Sequence, residues 1–100
     1  MSPLPLDEYI VDGLMPDLVG HDRQPSAFLV YLLLWRQTHG AGVATTQVAL
    51  RDLASSTGLS KRSVQAALTR LARRKLIRVE RESITAIPVY TVCRPWRPRG

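Results

Sequence analysis

Residues 50–71, LRDLASSTGLSKRSVQAALTRL, constrain the fold more than any other stretch of the chain. Leu50, Leu53 and Ala54 recur at helical spacing, and Gly58 then supplies a residue able to take φ > 0 where a helix must stop. Leu59 covers the turn from inside, and Ser60 caps a second helix. The buried stripe of that helix is Val64, Ala67, Leu68 and Leu71, at the spacing i, i+3, i+4, i+7. Two short helices are thereby held at a steep angle, with Lys61, Arg62, Gln65, Thr69 and Arg73 pointing outward.

This stretch resembles the helix-turn-helix. Ala54 stands where the two helices touch, Gly58 at the turn glycine, and Leu53, Leu59, Val64 and Ala67 at apolar core positions. Two residues depart from the pattern. Ala49 lies where a Ser, Thr or Asp would cap the first helix, a role left to Thr46 or Gln47 if that helix starts earlier. Lys75 lies where similar domains carry glycine after the second helix, so that helix ends either without a left-handed residue or with a mildly strained lysine.

The remaining segments build around this pair. Residues 25–39, PSAFLVYLLLWRQTH, contain nine consecutive apolar residues from Ala27 to Trp35. Periodicity alone does not separate a helix from a buried strand here. Length, leucine content, Pro25 in a first turn and Gly40 at the stop favour a helix. Such a helix is apolar all round and needs cover on every side. Tyr31 and Trp35 read as core, and His39 as a surface histidine at a helix end. Val43 to Val48 have the β-branched content of a short strand. Leu76 to Glu82 and Ala86 to Cys93 read as a hairpin around a loop at 82–85, with Pro88 confining the return strand to an edge or placing it at the strand's beginning.

The fold expected is therefore mainly α with a small β-hairpin (α+β), a three-helix core plus a wing, which resembles the winged helix-turn-helix. Residues 1–24 form an acidic arm in which Leu6, Tyr9, Ile10 and Leu14 make one side of a short helix, ended by Gly13 or Pro16, before a connection from Asp17 to Gln24. Residues 25–93 form the domain, and residues 94–100 a basic Pro/Arg tail. That tail either follows a polyanion, frays, or docks back through Trp96.

Charge divides the chain sharply. Residues 1–50 hold two basic and five acidic groups, net −3, whereas residues 51–100 hold twelve basic and three acidic ones, net +9. A basic half that contains the helix pair is the footprint of a polyanion binder. With 45% apolar residues in a chain of 100, one small core is affordable. No apolar run spans a bilayer, the N-terminus lacks the pattern of a signal peptide, and the lone Cys93 forms no intramolecular disulfide. A reducing cytoplasm and no membrane partner are the expectation.

Catalytic constellations are missing from the sequence. His21 and His39 lie in different segments without triad partners, HGAG at 39–42 is no phosphate loop, and one cysteine makes no zinc site. No enzyme, metal or cofactor is expected. The helix-turn-helix resemblance implies binding to double-stranded DNA by insertion of the helix at 60–74 into the major groove. Lys61 and Arg62 then pair with guanine edges and Gln65 with adenine, with Thr69 beside them. Ser60 and Ser63 suit phosphates at the helix N-terminus. Arg70, Arg73, Arg74, Arg78 and Arg81 suit the DNA backbone, with dipole compensation an equal reading for Arg74.

The order YIVDGLMPDLVG, aliphatic helix, winged pair is similar to N-terminal domains of phage and plasmid replication initiators. Similar domains also occur in small bacterial transcriptional regulators of the multiple-antibiotic-resistance type. A chain of this length without an effector or replication module favours the regulator. The alternative of a winged-helix protein-interaction module predicts apolar exposure on the third helix, whereas its outer face is charged and polar apart from Ala66. Finally, a homodimer through the first long helix and the arm would cover the apolar circumference of FLVYLLLW, unless the arm folds back and covers it alone.

Overall fold

The apolar run from Ala27 to Trp35 lies within a helix, α1 (Pro25–Gln37), which forms the centre of the molecule. The computed structural model describes residues 3–98. Ala27, Val30, Tyr31 and Leu34 of α1 are wholly buried, and Phe28 and Trp35 nearly so. The cover comes from different directions: the N-terminal segment, α2 (Leu50–Thr57), α3 (Lys61–Arg73) and the sheet all pack on α1. α1 ends at Gln37 with Thr38 as its C-cap, two residues short of the expected end at His39 and ahead of Gly40. The buried Thr38 hydroxyl donates to the Leu34 carbonyl at 2.8 Å, and the chain leaves through a 3-10 turn, His39–Ala41.

His39 departs from the expectation of a surface residue. Its Nε2–H donates to the Val92 carbonyl at 3.0 Å, and its ring lies 4.6 Å from that of Trp35, so it ties the end of α1 to the sheet.

The N-terminal segment is more structured than a short helix and a connection. Wide, π-type turns run over Ile10–Leu14 and again over Pro16–His21. Neither Gly13 nor Pro16 ends the winding. Proline lacks an N–H to donate, so it interrupts the hydrogen-bond series between the two stretches, but it is tolerated at the first position of the second. Tertiary burial overrides the local breakers, because Ile10, Leu14 and Leu18 are buried in the same core as α1 and the second turn packs on that helix. Leu6 and Tyr9, expected on that inner side, are instead about two-fifths exposed. The arm thus supplies one of the two expected covers for the outer face of α1, although Leu29 on that helix remains 44% exposed.

The helix pair follows its sequence closely. Ala49, extended at φ −77°, stands at the α2 N-cap without any side-chain cap bond, and neither Thr46 nor Gln47 replaces it. Gly58 closes α2 at φ +79°, with its N–H on the Ala54 carbonyl. Ser60 caps α3 by accepting the Ser63 N–H at 3.1 Å. Val64, Ala67 and Leu71 are fully buried and Leu68 partly so.

α3 ends in a left-handed turn built on Lys75 at φ +60°. The Lys75 N–H reaches the Ala72 carbonyl at 3.0 Å and the Leu76 N–H reaches Leu71 at 2.9 Å. This is the paired-bond ending usually made by glycine. Leu76 and Leu71 are both buried, and that contact fixes the exit direction of the wing.

The strands form one antiparallel sheet in the order β1-β3-β2, made of β1 (Thr45–Gln47), β2 (Ile77–Glu80) and β3 (Val89–Val92). The expected hairpin therefore gains β1 as a third strand, paired Thr46 to Tyr90. Pro88 immediately precedes β3, which occupies the centre of the sheet, so of the two places open to it the proline takes the strand's beginning. Alternation places Ile77, Tyr90 and Val92 inside, while Val79 on the same face stays two-fifths exposed where the wing leaves the core.

Candidate nucleic-acid interface

The N-cap of α3 decides which side chains can meet a partner. Ser60 Oγ accepts the Ser63 amide and donates to Ser63 Oγ at 3.0 Å. The Ser63 hydroxyl proton is thereby left to donate elsewhere. From this cap the buried stripe faces inward, and Lys61, Arg62, Gln65, Thr69 and Arg73 lie on the exposed side. Thr69 donates its hydroxyl to the Gln65 carbonyl at 3.0 Å, so it presents a methyl group and an acceptor outward rather than a donor.

An open groove of about 450 Å³ separates α3 from the wing. Gln65, Thr69 and Arg81 meet there, over an apolar floor of Leu68, Val79 and Tyr90. Burial pushes the Tyr90 phenol up, against the opposing pull of Arg81, so it stays neutral. Two-residue alternation along β2 sends Arg78 to the other side of the sheet, opposite Thr91. The two wing arginines therefore serve different surfaces. The wing tip also carries Glu80 and Glu82, which line a separate groove with Arg81.

The arginines towards the C-terminal end of α3 are less free than their sequence positions imply. Arg74 grips Asp17 at 2.7 Å and both oxygens of Asp22 at 3.1 Å. This bridge to the N-terminal segment is a role for Arg74 beyond the dipole compensation and DNA contact expected of it. Arg70 donates its Nε–H to the Gln24 side chain at 3.1 Å and is half-buried. Asp22 is 4% exposed at its side chain. The hydrogen bond from His21, seconded by the Arg74 and Arg70 guanidinium groups, holds its carboxyl below the usual range, outweighing the opposing effect of burial.

The tail docks rather than frays. Trp96 stacks on Tyr9 with ring centroids 5.0 Å apart and donates its indole N–H to Asp7 at 3.1 Å. Arg97 approaches the same carboxylate at 3.4 Å and Arg94 at 4.0 Å. Residues 99 and 100 of the tail lie outside the described residues. The sequence does not single out these acidic partners; its one signal is a first half of net −3 beside a second half of net +9.

The histidines are apart and separately engaged, His21 with Asp22 and His39 with Val92. Among the described residues no group of three or more His, Cys, Asp or Glu side chains could hold a metal ion. No helix among them is long and apolar enough to cross a membrane. In comparison with known proteins, a family model described as a helix-turn-helix domain matches residues 24–77, more than half of the chain. No curated protein and no solved structure matches.

Proposed function

Because the chain belongs to the helix-turn-helix domain family and DNA is its general class of partner, we propose that it reads double-stranded DNA sequence as a small bacterial or phage transcriptional regulator. α3 enters the major groove, and residues 25–93 act as one winged unit braced by the arm and tail. The observation that carries this reading is the α3 face itself. Lys61, Arg62, Gln65 and Thr69 are all exposed on one helix whose opposite side is core. Cationic side chains pair with the guanine acceptor edge, Gln65 pairs with adenine, and the Thr69 methyl suits the methyl group of thymine. Ser60, Ser63 and Arg73 flank this row and take phosphates, and Arg81 does so across the groove. Arg70 joins them only through the donors that Gln24 leaves open. The charged face also weighs against an interaction module with a buried third helix. The protein acts by binding, with no catalytic step and no cofactor, and works in a reducing cytoplasm.

Binding to a duplex should weaken steeply with salt, because each neutralised phosphate releases counterions; about five contacts give a log–log slope of about −4 to −5. Affinity that stays flat from low to physiological salt overturns the interface.

A homodimer is part of this reading. Val11, Met15 and Val19 recur every fourth residue on the arm and are each about two-fifths exposed, as is Leu29 on α1. Exposed Glu8 stands near one end of that stripe and exposed Arg23 near the other, so a second copy laid antiparallel brings opposite charges together. Sedimentation equilibrium at micromolar concentration should give a dimer mass that Met15→Glu reduces to a monomer. A monomeric wild type rejects the dimer.

A further inference from the structure

The tail and the outer face of the wing enclose a second groove that the α3 interface leaves unused. It is open, measures about 650 Å³, and runs from the end of α3 across β2 and β3 to the tail. Four cations line it, Lys75, Arg78, Arg94 and Arg97, over Thr91 and Cys93. Among the described residues the one carboxylate within 4.0 Å of any of the four is Asp7, which Arg94 and Arg97 share with the Trp96 indole. The groove therefore keeps a marked positive excess. Its cations are also held in place. Asp7 and the Tyr9–Trp96 stack order the tail, and the Arg94 guanidinium stands 6.0 Å from the Trp35 ring centroid. A partner arriving there meets arginines whose freedom is already largely spent.

Lys75 supplies an independent observation. It occupies a left-handed position at φ +60°, where glycine would be free of strain, yet it presents an exposed cation to this groove. Among the described residues Arg23 is the other non-glycine position at positive φ, +52°, and of the two only Lys75 lines this groove.

We propose that this groove is a second phosphate-binding site that takes the DNA backbone flanking the sequence read by α3. The inference rests on the DNA-binding reading above and extends it. Several fork-shaped donors in a row suit successive phosphodiesters better than a single small anion. The groove also begins where α3 ends, so a duplex engaged by the helix need only continue to reach it.

The test compares two duplexes in the full chain: a short one carrying a selected site, and the same site with about ten base pairs added on each side. Wild type should bind the longer duplex roughly tenfold more tightly at low salt. Arg94→Gln with Arg97→Gln should abolish that gain and make the salt slope on the longer duplex less negative by about 2, one step per lost phosphate contact. Since that variant also loosens the tail from Asp7, Lys75→Gly serves as the second probe, because it removes a groove cation while relieving backbone strain. It should cut the gain by about threefold without any loss of thermal stability. If both variants keep the full gain, the groove binds no backbone and the proposal is overturned. If wild type binds neither duplex, the failure lies in the DNA-binding reading, and the groove falls with it.

Discussion

Replacing Lys75 tests whether the turn after α3 is held against its own preference. At φ +60° the lysine Cβ crowds the backbone, which costs about 1–2 kcal/mol relative to glycine. Glycine also gains freedom in the unfolded chain, which offsets about 0.4–1 kcal/mol of that relief. Lys75→Gly further loses a cation near the negative end of the α3 dipole, about 0.3 kcal/mol at an exposed site. The net expectation is stabilisation by about 0.5 kcal/mol, or roughly 2–4 °C in Tm for a domain of this size. Lys75→Ala is the control, since it loses the same charge and keeps the Cβ. Alanine should be no more stable than wild type, and glycine should exceed alanine by about 1 kcal/mol in urea unfolding with an unchanged m-value. Equal stability of the glycine and alanine variants would refute the argument from strain. The hydrogen bonds from Lys75 and Leu76 to the last turn survive in every variant, because they involve backbone alone.

Other expectations concern the interface and the arm. Arg62→Ala and Gln65→Ala should each lose about 1–3 kcal/mol of discrimination between the preferred and a random duplex. Arg81→Ala should instead weaken both duplexes alike, as measured by paired titrations. Equal effects from both kinds of variant would remove α3 from base reading. Asp22, with its carboxyl lowered by His21 and Arg74, contributes stability that is present above its ordinary value of 3.8 and lost as pH falls through its lowered one. Asp22→Asn should therefore be less stable at neutral pH and approach wild type in acid. A difference in Tm that is constant from neutral to strongly acidic pH would contradict the ion pair.

How much of this was legible depends on the range over which each residue acts. The α2–turn–α3 unit was readable because its determinants are local: Gly58 at the turn, Ser60 at the cap and the Val64–Leu71 stripe all act within one or two helical turns. Even the anomaly at Lys75 could be located by position. The extent of the arm could not, since Gly13 and Pro16 are local breakers, and the packing of the Pro16–His21 turn on α1 that outweighs them is a tertiary matter. Arg74 looked like any arginine at a helix end, and its carboxylates lie 52 and 57 residues away. His39 reads as a surface residue for the same reason, because its acceptor, Val92, is 53 residues distant. On the site itself, the exposed row on α3 followed from periodicity. The division of Arg78 and Arg81 between two grooves required the sheet register.

The clasp between Asp7 and Trp96 joins residues 89 apart in sequence, the longest-range side-chain hydrogen bond in the molecule among the described residues. Loop closure of that length is entropically late, and the stack on Tyr9 cannot form until nearly the whole chain is available. The two tryptophans consequently report separate stages of folding. Trp35, 3% exposed in α1, follows formation of the core. Trp96 follows the final seating of the tail. Refolding watched through Trp96 alone, in a Trp35→Phe background, should lag behind the recovery of helical circular dichroism, and Asp7→Asn should slow or erase that last phase while leaving the earlier one intact.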